Sequence, residues 1–275
     1  MEEEFNVNKV AADVITNLST SMAEKCWKVL CKYCKDLKNK TELDLRIAYS
    51  EYLDFSYKSI NRVKTLLYKE NGRPLYTFYE CVGVKYENQT IAADNVENIF
   101  KIGKFIIITG TGGIGKTIML KHFFLNCLIS TDYVPVLVNV RCVNEMDVSG
   151  NSLVDIIHEE MKNYHLNLEK EYLEYSLKSG NYLFLFDGFD EINEKQDKWM
   201  EKEILKFCRR YPDNHYIMTS RPSDRFVGWN EFIELKALPL TKKQAMSMID
   251  KLDYDKIVKN KFYKDLNDGL FDKYQ

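Results

Sequence analysis

The stretch FIIITGTGGIGKTIMLKHFFLNCL, residues 105–128, decides the fold. Its first five residues are apolar and β-branched enough to read as a buried strand, and 118–128 carries apolar residues at helical spacing. Between them Gly110, Thr111, Gly112, Gly113, Ile114, Gly115, Lys116 and Thr117 satisfy the phosphate-loop pattern G-x4-G-K-[ST] in full. The pattern has a mechanical reason. Glycines let the loop wrap with its N–H groups inward, and the helix N-terminus adds positive potential. Lys116 is placed to reach the β- and γ-phosphates of a nucleotide, and the Thr117 hydroxyl to ligate Mg²⁺. A chance match in a chain this long has odds of roughly one in a hundred from average residue usage, and the strand and helix on either side lower them further. An ordinary glycine-rich turn is the weaker reading.

Two more strand ends carry chemistry. YLFLF (182–186) runs into Asp187-Gly188-Phe189-Asp190-Glu191. An apolar strand that ends in Asp delivers a carboxylate to the edge of the sheet where the phosphate loop opens. Asp187 is therefore a candidate Mg²⁺ partner, and Asp190 and Glu191 are candidates to polarise a water for attack on a γ-phosphate. Similarly, YIM (216–218) ends in Thr219-Ser220-Arg221-Pro222. Arg221 can bring a guanidinium to the same edge and read the terminal phosphate.

Outward from these motifs the chain alternates apolar runs (105–108, 134–140, 182–186, 216–218 and 232–235) with helical stripes such as Leu153, Ile156, Ile157 and Met161, or Ile204, Leu205 and Cys208. The spacing suits helical crossovers, hence a mostly parallel α/β sheet. Thr241 and Gln244 form a capping box that opens a further helix with Ala245, Met248 and Ile249 inward. Residues 1–70 instead read as helices: Val10, Val14, Ile15 and Leu18 recur at helical spacing, then Trp27, Leu30, Cys31 and Cys34, then Ile47, Tyr52, Phe55, Ile60, Val63 and Leu67. A turn is expected at 71–74, and the near alternation of aromatics in 75–91 suits a short strand or two. The division expected is an N-terminal helical domain (1–72), a β-rich linker (73–103), a nucleotide-binding core (104–240) and the start of a following helical domain (241–275).

Composition bounds the partners. The chain of 275 residues is 45% hydrophobic with only 12 Gly and 5 Pro, which excludes low-complexity and collagen-like chains. A formal charge of −2 from 39 basic and 41 acidic side chains gives no general attraction to nucleic acid or anionic lipid. The acidic start and the lack of a long apolar run give no signal peptide and no membrane span, so a cytoplasmic protein is expected. Seven scattered cysteines suit reduced thiols. Cys31 and Cys34 have no second ligand pair, so their helical face reads as core and no structural metal is expected.

GTGGIGKT, FLFDGFDE and MTSRP, in that order, resemble the NACHT group of signal-transduction nucleoside triphosphatases, the core of NOD-like receptors and of bacterial defence proteins. The doublet in DGFDE is the specific part. PVLVNVR (135–141) is similar to the family's second strand, ELKALPLT (234–241) to the strand and turn leaving its sheet, and PLYTFY (74–79) to bacterial members with a short helical N-terminal domain. The resemblance implies a three-layer α/β/α P-loop NTPase, with the Arg221 strand between the phosphate-loop and Asp187 strands, behind an all-α N-terminal domain. It implies ATP/ADP with Mg²⁺, slow hydrolysis, self-oligomerisation under an unidentified sensor trigger or effector, and a role in innate immunity or antiviral defence. Because the family's sheet is followed by further helical, winged-helix and sensor domains, a chain stopping at Gln275 is expected to be a piece of a longer protein.

Two other functions compete. A continuously working AAA+-like motor would need an arginine supplied from a neighbour, for which Arg209, Arg210 and Arg225 are the candidates. A GTPase or small-molecule kinase is the third reading, and GTP specificity is weakened because no Asn-Lys pair is followed by the Asp of the guanine-reading motif. The aromatic segment 75–86 is a candidate cover for the adenine ring.

Overall fold

The computed structural model describes residues 16, 19–21, 24, 41–64 and 72–271; the stripes expected at 10–18 and 27–34, and Leu67, lie outside the described residues. The first helix described throughout, α1 (Glu42–Asn61), opens on a capping box in which Thr41 and Asp44 exchange hydrogen bonds. Its buried face is Leu45, Ala48, Tyr49, Tyr52, Leu53, Ser56 and Ile60. Ile47, expected inward, is 48% exposed. The helix is rotated so that its tyrosines can satisfy their hydroxyls inside: Tyr52 donates to the Pro135 carbonyl at 2.8 Å, and the Tyr49 and Tyr182 hydroxyls meet at 2.5 Å.

The strands are β1 (Arg62–Val63) and β2 (Arg73–Pro74), paired with each other, then β3 (Gly83–Tyr86), β4 (Gln89–Ala92), β5 (Phe105–Thr109), β6 (Val134–Asn139), β7 (Tyr182–Asp187), β8 (His215–Ser220) and β9 (Ile233–Ala237). The last seven form one sheet in the order β4-β3-β9-β5-β8-β7-β6. From β9 to β6 all neighbours are parallel, while the β3–β4 hairpin adds antiparallel strands beyond β9. The strand that ends before Arg221 thus lies between the phosphate-loop strand and the Asp187 strand, as the resemblance implies. The helices after α1 are α2 (Val96–Phe100), α3 (Lys116–Ser130), α4 (Leu153–Asn163), α5 (Lys170–Leu177), α6 (Glu194–Arg210), α7 (Lys242–Lys251) and α8 (Lys256–Asp265). The phosphate-loop helix α3 lies against β6 and β7 with α1 and α2 beside it, and α4 packs on α5, α6 and β6. The core is continuous from α1 to β9.

Two expectations are corrected in detail. The aromatics of 75–81 are not pleated: Leu75–Thr77 is a 3-10 turn, and Tyr76 and Tyr79 instead gather around His122 of α3, Tyr79 stacked at 4.8 Å. Their near alternation reflects packing on one helix residue; the strands start only at Gly83. The β8-to-β9 connection holds no α-helix, only the 3-10 turn Asp224–Gly228, whose Phe226 packs against Phe189 together with Trp229 just past the turn. At the far end Thr241 and Gln244 do form the capping box of α7, with Ile249 buried and Ala245 and Met248 half-buried.

The Tyr52 hydroxyl gives a test of how firmly α1 is docked. Tyr52→Phe removes one buried hydrogen bond at constant shape, and a loss of about 1–2 kcal/mol in denaturant unfolding is expected. A variant as stable as the parent would mean that the Tyr52 hydroxyl adds nothing to the docking of α1.

Candidate functional site

Parallel pairing places the carboxyl ends of β5, β6, β7 and β8 at one edge: Thr109 is level with Ser220, and Asn139 with Asp187. Everything polar that follows these strands meets there. The loop after β5 starts with Gly110 N–H donating to Ser220 O at 3.2 Å and ends at Gly115, which caps α3 with φ of +99°, a conformation that penalises a Cβ. Lys116 folds over the loop, donating to the carbonyls of Gly110 at 2.6 Å and Thr111 at 3.1 Å. Desolvation holds its ammonium below the usual lysine range, with the Asp190 charge partly opposing that.

The next residue, Thr117, donates to Asp187 Oδ1 at 3.2 Å. The same oxygen accepts from Thr219 Oγ1 at 2.8 Å, and that hydroxyl accepts from Gly188 N–H at 3.1 Å. Thr219 therefore aims Asp187 at the loop. Gly188 takes φ of +80° to turn the chain out of β7, and the buried Phe189 anchors the turn between Phe226 and Trp229.

Each carboxylate beyond that turn has an arginine. Asp190 accepts from the Arg221 backbone N–H at 3.0 Å through Oδ1 and pairs with Arg221 Nε at 3.1 Å through Oδ2. Glu191 accepts from Arg141 Nη1 at 2.7 Å through Oε2. The Arg221 guanidinium also overhangs the phosphate loop, since a Cβ on Gly112 would lie 3.5 Å from its Nη2. Gly112, Gly113, Gly115, Lys116 and Thr117 line a cavity of about 260 Å³ with Asp187, Gly188, Asp190, Glu191, Thr219 and Arg221. A wider, open depression of about 510 Å³ at the opposite edge, by Glu97, Asp132 and Tyr133, offers no comparable set of cations for a phosphate.

The residues expected from sequence are thus gathered in one place, with Thr111 and Ile114 in the same loop. Thr219, Asn139, Arg141 and Asn144 were not singled out. A polar residue ending an apolar run, the signal used for Asp187 and Arg221, is equally present at Asn139 and Arg141. Arg209, Arg210 and Arg225 are committed within the chain, to Glu231, Glu174 and Asp197. The segment 75–81 lies on α3 and ties it to α7: Gln244 donates to Cys81 O at 2.7 Å, and Lys251 donates to Tyr79 O at 2.7 Å and pairs with Glu80 at 2.8 Å. Among the described residues no group of three or more His, Cys, Asp and Glu is placed to hold a metal, and no helix is long and apolar enough to cross a membrane.

Comparison with curated proteins finds no match. A family model described as NACHT domain matches residues 104–253, from the residue before β5 to just past α7. That span is more than half of the chain and contains the phosphate loop, the acidic turn and Arg221, so the chain belongs to the NACHT family of P-loop nucleoside triphosphatases.

Proposed function

We propose that the chain is a regulatory ATP/ADP switch, in which slow hydrolysis controls assembly and signalling. The observation that carries this reading is the Arg221–Asp190 pair beside the phosphate loop. Asp190 takes the Nε of this guanidinium and leaves its Nη groups over the phosphate loop, where they can meet a γ-phosphate. One arginine joined to both the acidic turn and the terminal phosphate couples the conformation of that turn to whether the nucleotide is a tri- or diphosphate.

In this reading the loop Gly110–Thr117 cradles the phosphates and Lys116 leaves its two carbonyls for phosphate oxygens. The residues fit Mg²⁺: a hydroxyl and a carboxylate, Thr117 and Asp187, already lie together as hard oxygen donors that would share the cation with the nucleotide. When bound, the cation neutralises charge on the β- and γ-oxygens. Glu191 orients the attacking water, Asp190 holds Arg221, and Arg221 reports loss of the γ-phosphate. The resemblance to NOD-like receptors and bacterial defence proteins supports self-oligomerisation under a trigger, and a role in innate immune or antiviral defence. It also supports adenine over guanine, and a cytoplasmic location. A motor that needs a neighbour's arginine is less well supported, because the candidate arginines are engaged in cis.

The test is nucleotide retention and turnover on purified protein. Nucleotide is expected to survive desalting, with turnover on the order of 10⁻³ to 10⁻² s⁻¹, the scale of unassisted switch NTPases and far below the ~10 s⁻¹ of ordinary enzymes. Brisk multiple turnover without a partner would replace the switch by a working ATPase.

A further inference from the structure

The 3-10 turn after β6, Val140–Glu145, grips the acidic turn at two levels. Asn144 donates to the Glu191 backbone carbonyl at 2.9 Å and accepts from Asn193 N–H at 2.8 Å, which fixes the main chain. Arg141 grips the side chain. Its guanidinium is itself pinned, because Asn139 Oδ1 accepts from both Arg141 N–H at 3.2 Å and Nε at 3.1 Å, leaving Nη1 directed at Glu191 Oε2.

The consequence for Glu191 is asymmetric. Oε2 is held, whereas Oε1 accepts no hydrogen bond among the described residues and lies 3.5 Å from where a Cβ on Gly188 would stand, on the cavity lining. Asp190 differs, with both oxygens taken by Arg221. An ion pair as exposed as Arg141 and Glu191, whose side chains are 52% and 47% accessible, adds little to stability. A fork pinned on one side and pointing a carboxylate on the other has its value in orientation.

We propose that Arg141 is a positioning residue for hydrolysis: it locks the rotamer of Glu191 so that the free oxygen is presented to the attacking water. This rests on the reading of Glu191 as the water-orienting group. The test compares Arg141→Ala, Arg141→Lys, Glu191→Gln and the double variant Arg141→Ala/Glu191→Gln in the full chain, measuring ATP affinity and single-turnover hydrolysis. Arg141→Ala is expected to slow hydrolysis roughly 10- to 100-fold with affinity within about twofold. Arg141→Lys, which keeps the charge without the fork, is expected to recover part of the rate. The double variant is expected to be no slower than Glu191→Gln alone, since Arg141 acts through that side chain.

Parental or faster hydrolysis in Arg141→Ala would overturn the inference, the faster case making the pair a brake. So would a further loss in the double variant as large as in the single one, which would mean that Arg141 acts independently of Glu191. If Arg141→Ala does not fold, Arg141→Lys decides: a parental rate there overturns the orienting fork. Parental hydrolysis in Glu191→Gln removes the underlying reading, a result distinct from an inactive Glu191→Gln beside an unaffected Arg141→Ala.

Discussion

Lys116→Ala is expected to raise the nucleotide dissociation constant roughly 100-fold or more while leaving the ligand-free protein folded. The ammonium lies over its own loop, at 2.6 Å from Gly110 O and 3.1 Å from Thr111 O. Thr111 is exposed, so water replaces the lysine there at little cost. Phosphate oxygens are stronger acceptors than these carbonyls, and a hydrogen bond to a charged group contributes about 1.5–3 kcal/mol. Two such contacts at the lower figure amount to about 3 kcal/mol, a little over two decades in affinity. Partial burial works in the same direction, because desolvation depresses the pKa of Lys116 and an anionic partner relieves that. The readout is unfolding with and without nucleotide. At 100 times the parental dissociation constant, ligand stabilises the parent by about 2.7 kcal/mol, and a variant weakened 100-fold by only about 0.4 kcal/mol. An unchanged nucleotide-induced shift would remove Lys116 from the phosphate site. Loss of the ligand-free transition would make the lysine structural.

The parts legible in the sequence were those in which a local pattern leaves one geometric option. A glycine loop between an apolar run and a helical stripe can only be a strand-to-helix turn, and it is. A strand ending in Asp187 puts a carboxylate at the carboxyl edge whichever neighbour the strand pairs with. What stayed hidden depends on pairing and on which face of an element turns inward. Arg141 and Glu191 are 50 residues apart and meet only because β6 lies beside β7 with Asn139 level with Asp187. Thr219 looked like part of a polar exit from β8, and its role in aiming Asp187 follows from β7 and β8 being adjacent. In α1 both Ile47 and Tyr49 could face the core by periodicity. Tyr49 does, since its hydroxyl finds Tyr182 there. The aromatics of 75–81 read as a strand because alternation is the only two-residue rhythm a sequence shows. Their partner, His122, belongs to the phosphate-loop helix.

Glu191→Gln is expected to lower the rate of hydrolysis on the order of 100- to 1,000-fold while changing nucleotide affinity by no more than about twofold. Two adjacent carboxylates compete for the role, and their hydrogen bonds separate them. A group that orients water needs an oxygen free to accept from it. Asp190 gives Oδ1 to the Arg221 backbone and Oδ2 to its guanidinium, and its side chain is only 20% accessible. Glu191 gives Oε2 to Arg141 and keeps Oε1. The glutamine amide has the same shape and its oxygen still accepts from Arg141, so the acidic turn keeps its place. What it loses is the negative charge and basicity that a water-activating group supplies. Asp190→Asn should behave differently, loosening Arg221 and so narrowing the difference in affinity between ATP and ADP, because the guanidinium that would read the γ-phosphate is no longer held over the phosphate loop. Single-turnover hydrolysis of prebound ATP, beside binding isotherms for ATP and ADP, separates the two carboxylates. An equal loss of affinity and rate in Glu191→Gln would make that side chain part of the binding surface. Full activity there with none in Asp190→Asn would move water activation to Asp190, and would require Arg221 to release it when nucleotide binds.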